Sequence, residues 1–104
     1  MQRIHSAPGT ITPVGPYSQA VVSGHLVFTA GQIPSLGSLE EQPESFKDQV
    51  RQTFANLAAI LEAAGSSLSH IVKVNAYLTA PDQLAPFNEV YKEILGHAPP
   101  ARTT

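Results

Sequence analysis

A single apolar stripe in the middle of the chain constrains its fold more than any other feature. Pro43 suits the first position of a helix, Glu44 suits the first turn, and Gly65 suits the end. Between these residues, apolar side chains recur at steps of three and four, which places them on one helical face. They are Phe46, Val50, Phe54, Leu57, Leu61 and Ala64. The sequence therefore predicts one long amphipathic helix that needs an apolar surface to pack against.

Alternating apolar and polar residues predict strands on both sides of this helix. The expected strands cover residues 3–6, 19–22, 25–30 and 70–78, and another begins at Ala101. The second and third are joined by Ser23 and Gly24, a pair typical of a tight hairpin turn. In the third, Leu26, Phe28 and Ala30 lie on one face. The hairpin thus presents one apolar surface.

A second, shorter helix is predicted after Pro81 and Asp82, and Gly96 ends it. Because Pro86 lacks an N–H, residues 81–85 are expected to form a loose turn before the regular helix begins. The apolar face of this helix contains Leu84, Phe87, Tyr91, Ile94 and Leu95.

The order of these elements predicts a single α+β domain, since 104 residues are too few for two. A strand, helix and strand in succession need a right-handed crossover. The strands at 25–30 and 70–78 should therefore lie parallel in one mixed sheet, with two helices on one face. The other face carries Ile71 and Tyr77 and has nothing in the chain to cover it. Self-association is expected there.

Composition excludes several classes of function. The chain has no Cys, which removes disulfides and thiolate zinc sites and suits a reducing, cytoplasmic compartment. No apolar stretch is long enough for a membrane helix or a signal peptide. The six Lys and Arg residues are scattered and the net charge is −2, so a nucleic acid partner is not expected. The four His residues are isolated, and no metal site is expected.

The general catalytic templates are also absent. The chain contains no phosphate-binding glycine loop and no G-x-S-x-G nucleophile turn. Three short segments remain in which polar side chains stand beside Gly or Pro in irregular backbone, where a rigid scaffold can present them to a ligand. They are residues 15–19, 31–34 and 99–102.

These segments, together with Phe87-Asn88-x-x-Tyr91, resemble the Rid family of enamine and imine deaminases, also known as YjgF-type proteins. The likeness extends from Pro13 to Arg102 and includes the motif Gln49-x-Arg51-Gln52-x-x-x-Asn56-Leu57. It implies a chorismate-mutase-like fold assembled as a homotrimer, with substrate sites in the clefts between subunits. The family's final strand and its water-orienting glutamate lie beyond Thr104. Residues 1–104 are therefore expected to form one Rid-type domain without that strand.

The resemblance also implies an activity. Rid proteins hydrolyse reactive 2-imino acids, such as 2-iminobutanoate and 2-iminopropanoate, to 2-keto acids and ammonia without a metal or an organic cofactor. Two alternatives stay open. One is a non-catalytic sensor of keto or imino acids on the same trimer. The other is an endoribonuclease, which an older name of the family suggests and the net charge of −2 disfavours.

Arg102 is the leading candidate for the site. A 2-imino acid carries a carboxylate, and Arg102 is the one residue in the three segments that can bind it through two parallel hydrogen bonds. Tyr17 can offer its phenol to the substrate or the attacking water, and the backbone N–H of Gly31 can approach the carboxylate. These roles match the family.

Three further residues match positions that the family places at the substrate. Asn88 is expected to line the pocket, and Phe87 to form an apolar wall from across the subunit boundary. Thr104 stands where some members carry Cys, so no thiol chemistry is expected at that position.

Overall fold

A computed structural model describes all 104 residues of the chain. Its long helix, α1, spans Phe46–Ala63 and so begins later than Pro43, the predicted first residue. The reason is a cap at Ser45, whose hydroxyl accepts a hydrogen bond from the Asp48 backbone N–H at 3.1 Å. This bond satisfies one of the free N–H groups of the first turn. The helix itself is confirmed, and only its start is corrected.

Three short strands precede α1 and form an antiparallel ladder. These are β1 (Gln2–Ile4), β2 (Ala20–Ser23) and β3 (Leu26–Thr29). Because Ser23 pairs with Leu26, the turn consists of Gly24 and His25, one residue later than predicted. Gly24 has φ +59°, the positive value that a type II′ hairpin turn needs at its first central residue.

Two more strands follow α1, and a second helix lies between them. β4 (Lys73–Asn75) pairs in parallel with β5 (Ala101–Thr103), and α2 (Leu84–Leu95) forms the crossover. The α+β class is confirmed. The expectation that the strands at 25–30 and 70–78 lie parallel in one sheet is wrong, since β3 and β4 belong to separate sheets. The crossover rule fixes the handedness of a connection between two parallel strands of one sheet, and it does not require two successive strands to share a sheet.

The start of α2 shows how the chain accommodates Pro86. A 3₁₀ turn covers Pro81–Gln83, and α2 begins directly afterwards at Leu84. Pro86 is thus the third residue of the helix, where the backbone N–H would have no partner within the helix in any case. The predicted loose turn is shorter than expected for this reason.

Apolar side chains from the two helices form the main core. Six buried residues make up this cluster: Val50, Phe54, Phe87, Val90, Tyr91 and Leu95. A smaller cluster of Ala7, Ala20 and Ile60 joins α1 to the antiparallel ladder, and Val27 of β3 packs against it. Neither helix has the length and apolar character needed to cross a membrane.

The uncovered apolar surface differs in part from the expectation. Phe28 and Tyr77 are 60 % and 90 % exposed, as an uncovered face predicts. Ile71 is not part of that face, because it packs against the main core, and the neighbouring Val72 is exposed in its place. Residues 71 and 72 lie between a 3₁₀ turn and β4, outside the strand. Strict alternation therefore does not apply to them.

We predict that the contact of α1 with the antiparallel ladder depends on Ile60, whose side chain is fully buried. Ile60→Ala should lower the free energy of unfolding by about 3 kcal/mol, because it removes apolar contacts and leaves a cavity. Urea denaturation measures this change. Leu36→Ala, at a loop position that is 43 % exposed, is the control and should cost less than about 1 kcal/mol. Equal costs for the two variants would contradict this packing.

Candidate functional site

The side chain of Arg102 lies over two aromatic rings of α2. Arg102 is the central residue of β5, opposite Val74 of β4, and is half-buried. Its guanidinium carbon Cζ lies 4.7 Å from the ring centroid of Tyr91 and 5.4 Å from that of Phe87. Both distances are within the range of cation–π attraction. The core of the protein thus supports this cation directly.

No acidic group of the chain pairs with Arg102. All ion pairs lie on the helix surfaces, where Lys47 contacts Glu89 and Arg51 contacts Asp48 and Glu93. The Arg102 guanidinium also makes no hydrogen bond within the chain, so its N–H donors remain available. A planar guanidinium with free donors can bind a carboxylate through two parallel hydrogen bonds.

Tyr91 occupies an unusual position beneath this cation. The residue is only 7 % exposed, and its hydroxyl is a buried polar group without a hydrogen-bond partner. Burial raises the pKa of Tyr91, and the positive charge of Arg102 opposes that shift. The phenol is therefore neutral at physiological pH. The helical periodicity predicts Tyr91 on the apolar face of its helix and indicates no separate role for it. The available signal was its spacing of one helical turn from Phe87.

Tyr17 and Gly31 lie together at a second location, a cavity that Arg102 does not line. They line one shallow cavity of ≈ 110 Å³, and Tyr17 is 47 % exposed there. A Cβ built on Gly31 would meet no atom of the chain within 4 Å, so the space before its backbone is open to a ligand. The other residues that line the cavity are Ile11, Thr12, Pro13, Val14, Gln19, Gln32, Ile33, Ser35 and Leu39.

The buried side chain of Gln19 fixes one wall of this cavity. Its Nε2 donates to the carbonyl of Ile11 at 2.9 Å and to the hydroxyl of Thr10 at 2.9 Å. Its Oε1 accepts from the backbone N–H of Ala7 at 2.6 Å. One amide therefore ties the irregular segment 7–11 to the start of β2.

Asn56 of α1 holds two further residues of this cavity, Ile33 and Ser35. Its Nδ2 donates to the carbonyls of Ile33 and Ser35 at 3.2 and 3.0 Å, and its Oδ1 accepts from Gln52 at 3.0 Å. Gln19 and Asn56 lie within the motifs that resemble the Rid family, and their place in those motifs alone indicates no function. A polar residue buried among apolar neighbours is the signal that points to such a role.

The remaining predicted residues are Phe87, Asn88 and Thr104. Phe87 is buried in the core of its own chain beneath Arg102, and its role as an apolar wall from across a subunit boundary stays a prediction. Asn88 is exposed on α2. Thr104 is exposed and borders a separate open depression beside Leu84. A single chain thus presents two groups, Tyr17 with Gly31 and Arg102 with Phe87, which do not line one cavity. No three His, Asp or Glu side chains cluster as metal ligands.

Comparison with known proteins identifies the family. The family model described as Endoribonuclease L-PSP matches residues 7–104. A RutC family protein of Pyrococcus horikoshii is 48 % identical over 91 residues, which cover 86 % of this chain and 72 % of that protein. The 2-iminobutanoate/2-iminopropanoate deaminase of Dermatophagoides farinae is 38 % identical over 104 residues, covering 99 % of this chain and 81 % of that protein.

A solved structure agrees with these relatives. The crystal structure of TdcF from Escherichia coli with bound serine is similar with a TM-score of 0.82 and 38 % identity, covering 98 % of this chain and 83 % of that one. The chain therefore belongs to the Rid family, the L-PSP and YjgF group of proteins, as its motifs predicted.

We predict that Gln19 is essential to the Tyr17 cavity. Gln19→Ala leaves the Ala7 N–H and the Ile11 carbonyl without partners, and should lower the free energy of unfolding by about 2–4 kcal/mol. Urea denaturation measures this loss, and faster hydrogen exchange at the Ala7 amide locates it. Gln32→Ala is the control, because Gln32 bonds only to the adjacent Gly31 carbonyl. Gln32→Ala should lower the free energy of unfolding by no more than about 0.5 kcal/mol. Unchanged hydrogen exchange at the Ala7 amide in Gln19→Ala would contradict the role of Gln19 in holding the segment 7–11.

Proposed function

We propose that this protein hydrolyses 2-imino acids to 2-keto acids and ammonia, with Arg102 binding the substrate carboxylate. The observation that carries the proposal is the half-buried guanidinium of Arg102, which has no anionic partner in the chain. Two comparisons support it. One relative is named as a deaminase of 2-iminobutanoate and 2-iminopropanoate, and the TdcF structure holds serine, an amino acid with the same carboxylate group.

The reaction makes modest demands on the protein. A protonated imine is already electrophilic at C2. A water oxygen attacks C2, the electron pair of the C=N bond moves to nitrogen, and the water gives up a proton. The nitrogen takes a proton and leaves as ammonia while the remaining hydroxyl loses its proton to become the keto group. The protein needs to bind the carboxylate, place one water and accept its proton, and no covalent nucleophile is required.

The site residues divide the first two of these tasks, binding of the carboxylate and placement of the water. Arg102 binds the carboxylate, and the N–H of Gly31 adds a further donor to it from the open space described above. The phenol of Tyr17 orients the attacking water or the imine. Asn88 and Thr104 are exposed, and in this proposal they border the substrate.

A homotrimer with sites between subunits resolves the separation of the two groups. Within one chain, Tyr17 and Gly31 line a cavity that Arg102 does not reach. The exposed rings of Phe28 and Tyr77 leave an apolar surface that a second copy of the chain can cover. Association of copies would bring the Tyr17 cavity of one protomer to the Arg102 of a neighbour and complete a cleft.

A second candidate is a sensor that binds keto or imino acids without turning them over. The specific observation in its favour is the lining of the Tyr17 cavity, which contains no Asp or Glu to accept the proton from water. Binding needs only the guanidinium and the backbone donor. Turnover is therefore the measurement that separates the two candidates.

We predict that Arg102→Ala lowers kcat/KM for 2-iminobutanoate by at least about 30-fold, because it removes a charged pair of hydrogen bonds to the substrate. Arg102→Lys should restore only part of the loss, since an ammonium lacks the bidentate geometry. The imine is generated enzymatically and its decay is followed with and without the protein. Arg3→Ala, at an exposed arginine of β1, is the matched control and should retain full activity.

Other outcomes of the same experiment separate the candidates. Binding of 2-ketobutyrate without faster imine decay would support the sensor. RNA cleavage that survives Arg102→Ala would support a nuclease. Faster decay that is unchanged in Arg102→Ala would contradict the role of the guanidinium.

A further inference from the structure

We infer that Tyr91 is a positioning residue for Arg102, and that its buried ring holds the guanidinium in place while leaving the N–H donors free for a ligand. This inference deepens the proposed function and rests on it. Tyr91 is a residue to which the motifs assign no task.

The geometry singles out Tyr91 as the main support. Its ring centroid lies 4.7 Å from Cζ of Arg102, closer than the 5.4 Å of Phe87. The ring is itself held by two others. It contacts Phe54 edge to face at 5.9 Å and 69°, and Phe87 in a tilted arrangement at 5.6 Å and 44°. A ring fixed between two neighbours provides a rigid surface for the cation.

An aromatic ring beneath Arg102 leaves the N–H donors of the guanidinium free, whereas a carboxylate would not. A carboxylate beside Arg102 would occupy some of its N–H donors and cancel its charge. The face of a ring attracts a cation through its quadrupole without accepting those N–H groups as a carboxylate does. The core below also excludes water from one side of the guanidinium, which strengthens its attraction to an anion arriving from the other side.

The hydroxyl of Tyr91 plays no part in this support. It is buried and has no hydrogen-bond partner, so the ring alone carries the contact with Arg102. This provides a matched pair of variants. Tyr91→Phe keeps the ring and removes the unpaired hydroxyl, whereas Tyr91→Leu keeps an apolar side chain and removes the ring.

The experiment compares these variants in the full chain, with 2-iminobutanoate as substrate and 2-ketobutyrate as a binding probe in calorimetry. Tyr91→Leu should raise KM and the Kd of 2-ketobutyrate by about 5- to 10-fold and leave kcat within about 2-fold, since carboxylate binding weakens equally in ground and transition states. Tyr91→Phe should leave all three values within about 2-fold of wild type. A purely structural role would reduce the folded fraction, which lowers apparent kcat and leaves KM unchanged.

A second measurement does not depend on activity or on the stability of Tyr91→Leu. In nuclear magnetic resonance spectra, ring currents should shift the Arg102 side-chain protons upfield in both wild type and Tyr91→Phe. Arg102 protons at ordinary positions in wild type would overturn the inference, and so would equal losses of binding in the two Tyr91 variants. If wild type shows the shift yet neither binds 2-ketobutyrate nor accelerates decay of the imine, the proposed function fails. In that case the contact between the Tyr91 ring and Arg102 is present, and it has no role in binding 2-ketobutyrate or the imine.

Discussion

The contact between the Arg102 cation and the aromatic rings of α2 connects the core of this protein to its candidate site. Tyr91 and Phe87 belong to the largest buried cluster, which also fastens the two helices together. The same rings therefore contribute to stability and hold the guanidinium. Because β5 pairs in parallel with β4, Arg102 is set opposite Val74, over the helix that joins the two strands.

Periodicity was sufficient to predict the elements of the fold, and insufficient to predict how they pair. The apolar stripe of α1 and the β2–β3 hairpin are local features. The stripe depends on the spacing of apolar residues three and four positions apart, and the hairpin depends on the residues of its turn. The pairing of β4 with β5, in a sheet separate from β3, depends on contacts between distant segments. The burial of Ile71 and the exposure of Val72, the reverse of the predicted pattern, also depend on structure outside the strand. A short 3₁₀ turn over Leu68–His70 precedes β4 and interrupts the alternation, and it contains neither Gly nor Pro.

In the candidate site, too, some residues could be predicted from the sequence and others depend on contacts between distant segments. The resemblance to the Rid family indicated Arg102, Tyr17 and Gly31, because each lies in a short segment whose residues match the family's motifs. The supporting residues were not predicted in their roles. Gln19 and Asn56 act by bonding to backbone groups of irregular loops, and Tyr91 acts by lying under a residue that follows it in another element. Such roles depend on approach through space, which sequence spacing does not determine.

A crystal structure of the full chain with 2-ketobutyrate tests the central claim most directly. The account predicts that two guanidinium nitrogens of Arg102 lie about 2.7–3.2 Å from the ligand's carboxylate oxygens, with the Tyr91 ring still beneath Cζ. A ligand carboxylate bound away from Arg102, or an Arg102 side chain extended into solvent far from Tyr91, would contradict it.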